Sequence, residues 1–215
     1  MIPDALEGRA YWVQPGRLMA GAIPGSSVLP GAEAKISALA STGIRHIVNL
    51  MEPDERDRNG DLFWEYSELC ATLGITVARY PIRDVTAPSV DVVRAVLTDI
   101  DESIAAGRPV YVHCWGGRGR TGVIVGCWLI EHGLASPGDA IDRIAALRSG
   151  AADGRMISPQ TPEQEARVRG WTRAVTPPSA PPYSYGSRDV QPGYESQGHS
   201  AKSEPWGRDP LTDDD

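Results

Sequence analysis

Three short runs rich in β-branched residues, at 44–50 (IRHIVNL), 75–80 (ITVARY) and 109–114 (PVYVHC), each follow a longer segment with apolar side chains at helical spacing. Helical crossovers between short strands require those strands to run parallel, with the helices covering the faces of the sheet. The expected fold is α/β, a central mostly parallel sheet flanked by helices. A small strand pair around 11–13 (YWV) and 16–21 (GRLMAG) is expected at one edge.

The helical segments are 32–42, 61–74 and 89–107. In the last of these Val93, Val96, Ile100 and Ile104 share a face and Gly107 supplies a stop. After the third run, Val123, Ile124, Cys127, Trp128 and Ile130 belong to a segment apolar on nearly every side, as a helix buried against a sheet requires. Ser136, Pro137 and Asp139 read as N-cap, first-turn proline and capping-box acid of a helix reaching Leu147. Thr161, Pro162 and Gln164 repeat that signature before a helix whose apolar face is Val168, Trp171 and Val175. The folded domain is expected to span 1–176. Residues 177–215, rich in Pro, Ser and Gly, cannot supply a dense core and are expected to form a disordered tail.

At 215 residues and 41% hydrophobic content the chain is long enough for one domain with a sizeable core. Its net charge of −7 provides no global field for nucleic acid or an anionic membrane, so anion binding must come from local geometry. No apolar run is long enough to span a bilayer, and no membrane insertion is expected. Cys70, Cys114 and Cys127 form neither close-spaced ligand pairs nor a disulfide framework, which favours a reducing compartment; the expected location is cytoplasmic. The pattern leaves the oligomeric state open.

The third run leads straight into VHCWGGRGRTG. A turn between a strand and a helix can aim successive N–H groups at one anion, and the following helix directs its positive end to the same point. Gly116, Gly117 and Gly119 allow the tight turn and the close approach of a ligand. Trp115, Gly116, Gly117, Arg118, Gly119 and Arg120 therefore form a candidate phosphate-binding loop. Such a field favours thiolate over thiol at Cys114. Arg120 can hold two phosphoryl oxygens with its planar guanidinium and follow their charge into the transition state.

These groups imply in-line attack by sulfur on phosphorus, a phosphocysteine intermediate, and hydrolysis by water, with no cofactor and no metal. The loop lacks the lysine of nucleotide-binding glycine loops. Asp84 is the candidate general acid, because loops at the C-terminal ends of neighbouring parallel strands meet at one crevice. After transfer the same carboxylate can activate water. Thr121 can donate its hydroxyl to the departing sulfur, and His113 orients the loop through a backbone hydrogen bond.

HCWGGRGRT resembles the signature of the cysteine-dependent protein tyrosine phosphatase superfamily: His-Cys, five residues, Arg, then Ser or Thr. VQPGRLMAGAIPG resembles the entry strands and turn of its small dual-specificity and bacterial members, and YPIRD combined with HCWGGRGRTG is similar in outline to its lipid-phosphatase and dual-specificity branches. The resemblance implies a protein tyrosine phosphatase-like fold over roughly 11–175. It also implies Cys114 as nucleophile, Arg120 as phosphate binder, Thr121 as hydroxyl donor and Asp84 as general acid. The implied partner is a phosphorylated protein, phosphotyrosine first and phosphoserine or phosphothreonine second, or a small phosphomonoester.

Phosphoinositides and other small phosphate esters are the alternative substrates. Trp115 stands where lipid-directed members often carry lysine, while Arg118 keeps a basic residue in the loop. A phosphoresidue-binding module without turnover is disfavoured by the complete set of Cys114, Arg120 and Asp84, and a sulfur-transfer loop by Asp84 and His113. Trp115 reads equally as pocket rim or core anchor, and Arg118 and Arg83 as phosphate-side or solvated cations. Asp54 and Glu55 follow the first β-branched run and are expected at the surface. Gln164 has a sufficient purpose as a capping residue, and Gln160 is assigned no catalytic role. Cys70 and Cys127 are expected in the core, where either is a candidate disulfide partner for oxidised Cys114.

Overall fold

The computed structural model describes residues 2–6 and 8–173, so the expected tail at 177–215 lies outside the described residues. Five strands make one sheet: β1 (Ala10–Gln14), β2 (Leu18–Ala22), β3 (His46–Asn49), β4 (Thr76–Arg79) and β5 (Val110–Cys114). Their order is β1-β2-β5-β3-β4, with β1 antiparallel at the edge and every other pairing parallel. The edge pair and the three β-branched runs thus form the sheet their sequences call for.

β5 is central and wholly buried, so it has no polar face. Its side chains alternate between two cores. Val110, Val112 and Cys114 join the core beneath α3 (Val90–Ala105), α4 (Gly119–Glu131), α5 (Ala140–Arg148) and α6 (Pro162–Arg169). Tyr111 enters the other core with Ile36 and Leu39 of α1 (Leu29–Ser41) and Cys70 of α2 (Ser67–Thr72). Each fully buried Leu, Ile or Val in these layers contributes about 1.5–3 kcal/mol.

α4 is buried from Gly119 to Ile130, as its apolar circumference requires. A glycine face admits its neighbours. A Cβ on Gly122 would lie 2.4 Å from Ser158 Oγ, so the chain after α5 can press directly on the first turns of α4.

α1 starts at Leu29, three residues ahead of the expected 32, and two further helices start later than expected. The segment 61–74 is helical only over Ser67–Thr72. Ahead of it, the Asp57 carboxylate accepts the N–H groups of Asn59 and Asp61, Leu62 bridges to Arg56, and the Trp64 N–H bonds the Ser26 carbonyl. Those bonds commit the backbone to a loop before α2 can begin. Asp139 does accept from Ser136, as a capping acid would, but the contact closes a turn and α5 starts at Ala140. At α6 the Thr161–Gln164 capping box is complete, and the helix ends at Arg169, ahead of Trp171, which remains buried.

Candidate active site

Parallel pairing puts the ends of β2, β3 and β5 level: Ala22 lies beside Cys114, and Asn49 beside His113. The loops leaving these strands therefore surround one point, and Cys114 lies there, almost wholly buried at the end of β5. The following turn crosses very close to β2. Gly117 has φ +71°, and a Cβ there would lie 2.3 Å from the Gly21 carbonyl carbon, so both the backbone angle and the space demand glycine. Gly119 and Arg120, expected in the loop, are the first residues of α4.

Three carbonyls at the two ends of the turn are taken up by groups around it. The Trp115 carbonyl accepts from the Ile23 N–H at 3.2 Å, and the Arg118 carbonyl from Ser158 Oγ at 2.8 Å. The Cys114 carbonyl accepts from His113 Nδ1 at 3.2 Å. Since a carbonyl cannot donate, Nδ1 carries the proton, and Nε2 accepts from the Tyr66 hydroxyl at 2.6 Å. Burial pushes His113 down to about 3 and Tyr66 well above the ordinary phenol range, which keeps the imidazole neutral and the phenol a donor. This Tyr66–His113 support is absent from the sequence reading. Tyr66 sits 47 positions upstream of His113, and only the packing of α2 against the sheet brings them together.

Arg120 is fully buried and reaches out between the loops after β3 and β4. Its two Nη atoms bond both carboxylate oxygens of Glu55, Nη1 also donates to the Ile82 carbonyl at 2.9 Å, and Nη2 lies 2.9 Å from Asp84 Oδ1. Burial alone would lower its affinity for a proton; the hydrogen bond to Glu55 and the negative fields of Cys114, Glu55 and Asp84 instead hold the guanidinium above its ordinary value. Nε of Arg120 and Oγ1 of Thr121 are buried with no hydrogen-bond partner.

Glu55 corrects the expectation of a surface carboxylate. It is only 13% exposed and grips Arg120 with both oxygens. Its position after a parallel strand was the available signal, because loops at that end of the sheet enclose the crevice. Asp54 is exposed, as expected.

Asp84 is 61% exposed, on a loop whose next residue, Val85, has φ 54°. A β-branched residue in that region carries strain of about 1–3 kcal/mol. Gln164 tethers the loop: its side-chain Nε2 donates to the Thr86 carbonyl at 2.9 Å, while its Oε1 accepts the N–H groups of Gln160 and Thr161. The capping residue of α6 thus also fastens the Asp84 loop.

A cleft of about 340 Å³ opens above Cys114, with Asp84, Gly116, Gly119, Arg118 and Gln160 among its walls. Arg118 Nε faces Asp153 at 3.8 Å, and Asp153 is in turn held by buried Arg148 at 2.8 Å. The loop cation is thereby partly neutralised. Trp115 is a rim residue. Its indole donates to the Arg56 carbonyl at 3.1 Å, and the Arg58 guanidinium stands 5.5 Å from its ring centre. Beyond this indole lies a second cleft of about 410 Å³ that shares Arg9, Arg58 and Trp115 with the first.

Cys70 belongs to the core beneath α1 and α2, on the face of the sheet away from Cys114. Cys127 is eight residues into α4, about 12 Å along its axis. Burial pushes both thiols up to about 12.

The family model described as "Polymorphic toxin system, DSP-PTPase phosphatase" matches residues 25–134, which include Glu55, Asp84, Cys114 and Arg120. An Arabidopsis thaliana protein named phosphatidylglycerophosphate phosphatase PTPMT2 is 28% identical over 132 residues, covering 61% of this chain and 52% of that protein. The chain thus spans about half the length of this relative. The Leishmania major protein tyrosine phosphatase PRL-1 is 29% identical over 136 residues, 60% of this chain and 70% of that one. Among solved structures, the active form of Tk-PTP superposes with a TM-score of 0.58 at 26% identity, covering 75% of this chain and 94% of that one.

Proposed function

We propose that the chain, which belongs to the polymorphic toxin system DSP-PTPase phosphatase family, is a phosphatase of the tyrosine and dual-specificity type that hydrolyses phosphomonoesters through a phosphocysteine on Cys114. The carrying observation is that Cys114 and Asp84 line one cleft at the ends of parallel strands, while buried Arg120 reaches Asp84 from beneath it.

In this reading the phosphoryl group sits in the turn 115–119, whose carbonyl bonds at Trp115 and Arg118 support N–H groups turned toward the ligand. Arg120 offers Nε, which has no partner, together with Nη2 once Asp84 leaves it. Glu55 keeps the guanidinium plane fixed while that exchange occurs. The Cys114 thiolate attacks phosphorus in line, the bond to the leaving oxygen breaks, and Asp84 supplies the proton to that oxygen. Water then attacks the phosphocysteine with Asp84 as base. Sulfur leaves as thiolate, helped by the Thr121 hydroxyl, and inorganic phosphate departs.

Two substrate classes fit the cleft. Phosphotyrosine in proteins, with phosphoserine and phosphothreonine after it, suits a deep thiol beside an aromatic rim. A phosphorylated small molecule or lipid headgroup is the second reading, favoured by the basic cleft beyond Trp115 and by the similarity to a phosphatidylglycerophosphate phosphatase. Free thiols at all three cysteines support a reducing compartment, the cytoplasm in this reading.

Metal-free turnover of para-nitrophenyl phosphate tests the chemistry. Cys114→Ser should lower it about 10⁴-fold or more, since the nucleophile is removed while the binding loop stays. Turnover unchanged in that variant would defeat the proposal.

A further inference from the structure

Within RSGAADGRM, Asp153 reads as one polar residue in a turn after α5. The fold brings it to the reaction cleft, which it lines together with Cys114, Asp84 and Arg118. Its two carboxylate oxygens are divided between two cations. Oδ1 accepts from Arg148 Nη2 at 2.8 Å, and Oδ2 lies 3.8 Å from Arg118 Nε.

The carboxylate is held in place from below. Arg148 is fully buried, and it donates to the backbone carbonyls of Asp153 and Met156 as well, at 3.3 and 2.7 Å. The turn is closed by the Gly154 N–H on the Ala151 carbonyl and by the Met156 N–H on the Asp153 carbonyl. A buried guanidinium requires a compensating charge, and Asp153 supplies it. Arg118 and Asp153 are each only about a quarter exposed, so water screens their attraction less than it would on an open surface. An anion brought to that side of the cleft must compete with Asp153 for Arg118 and is repelled by a carboxylate that is fastened to the core.

Resting on the phosphatase reading above, we propose that Asp153 is a specificity-determining residue: by occupying Arg118 it selects phosphate esters that carry no second anionic group beside the reacting phosphate. Phosphoresidues with neutral or basic neighbours meet that condition, and polyphosphorylated headgroups do not. Arg9, Arg58 and Asp84 line the same cleft, so the role of Asp153 is read from its coupling to Arg118 and not from the overall field.

The full chain is assayed on phenyl phosphate and 3-carboxyphenyl phosphate, whose leaving groups are alike in basicity, and on an inositol monophosphate and an inositol bisphosphate. Wild type should favour phenyl phosphate over its carboxylated analogue by about fivefold or more in kcat/KM. Asp153→Asn keeps an oxygen for Arg148 and removes the charge. It should erase or reverse that preference through a KM about tenfold lower for the carboxylated ester, with phenyl phosphate changed by less than about threefold. Adding Arg118→Gln to that variant should cancel the gain, and Arg118→Gln alone should widen the wild-type preference.

The proposal is overturned if Asp153→Asn changes both aryl esters by the same factor or neither, or if wild type favours the carboxylated ester, or the inositol bisphosphate over the monophosphate. A fall in kcat on every substrate would make Asp153 a support for the loop and overturns it too. Should Asp153→Asn melt below the assay temperature, Arg118→Gln alone still decides, since an unchanged or narrowed preference contradicts the coupling. Wild type inert toward both aryl esters would remove the phosphatase reading itself, an outcome distinct from all of these.

Discussion

In the proposed mechanism, the loop after β5 and the loop after β4 hold two halves of one chemistry in opposite ways. The first is sunk in the core: Cys114 is nearly inaccessible, Gly117 is wedged against β2, and His113 and Tyr66 brace it from behind. The second lies on the surface, with Asp84 mostly exposed, Val85 at positive φ, and the contacts to Arg120 and Gln164 as its tethers. A nucleophile surrounded by fixed dipoles requires no reorganisation when charge develops. A group that must give up a proton and later take one gains from reach and from contact with water. Arg120 is the junction: Glu55 binds it from a nearly buried position and Asp84 from an open one.

That contrast can be broken by exchanging the character of Asp84. Asp84→Asn should slow alkyl phosphates, which have poor leaving groups, about 10²- to 10³-fold, and para-nitrophenyl phosphate much less. The same variant should bind inorganic phosphate more tightly, because a neutral amide competes less for Nη2 of Arg120. Equal slowing of both substrates would contradict the acid role; weaker phosphate binding would contradict the competition.

Glu55→Gln sharpens the comparison from the buried side. It removes the charged half of the grip on Arg120 but keeps a hydrogen-bonding side chain of similar shape, so kcat/KM should fall about tenfold for all phosphate esters alike. Stability should fall by about 1–3 kcal/mol, read from denaturant unfolding, because a fully buried guanidinium loses its best partner. An effect that depended on the leaving group would place Glu55 in the acid's role instead.

The smallest effects concern groups behind the site. Iodoacetate at neutral pH should label Cys114 alone, since Cys114 lines the open cleft whereas Cys70 and Cys127 lie in the core, where burial pushes them up to about 12. Labelling of either at a comparable rate would contradict that division. His113 is ordinarily near 6.5 and is pushed down to about 3. The folded state therefore binds its proton less readily than the unfolded chain, and the stability tied to the neutral ring is present above 6.5 and lost as pH falls toward 3. Its imidazole NMR signals should stay flat between about pH 5 and 8.

Much of the buried half was legible in the sequence. Val110–Cys114 followed by glycines, Arg120 and an all-round apolar helix dictates strand, turn and buried helix together, because local propensity, burial pattern and turn chemistry agree. The Thr161–Gln164 box was legible for the same reason. Asp84 was placed by topology, since parallel strands bring their loops to one end.

What escaped was set by tertiary contacts between polar residues far apart in the chain. Glu55 reads as one more charge in EPDERDRNG, and nothing local distinguishes it from Asp54; only Arg120, 65 positions later, makes the difference. Tyr66 falls in a segment whose helical spacing hid the loop that Asp57 organises ahead of it. Gln164 satisfies a cap and a distant carbonyl at once, and the first role leaves no trace of the second.

The most direct measurement is acid-quench trapping of the enzyme during turnover of a radiolabelled aryl phosphate, followed by peptide mapping. The account predicts label on Cys114 that decays as inorganic phosphate forms, and no such label in Cys114→Ser. Steady turnover with no protein-bound phosphate on Cys114, or with phosphate on another side chain, would contradict it.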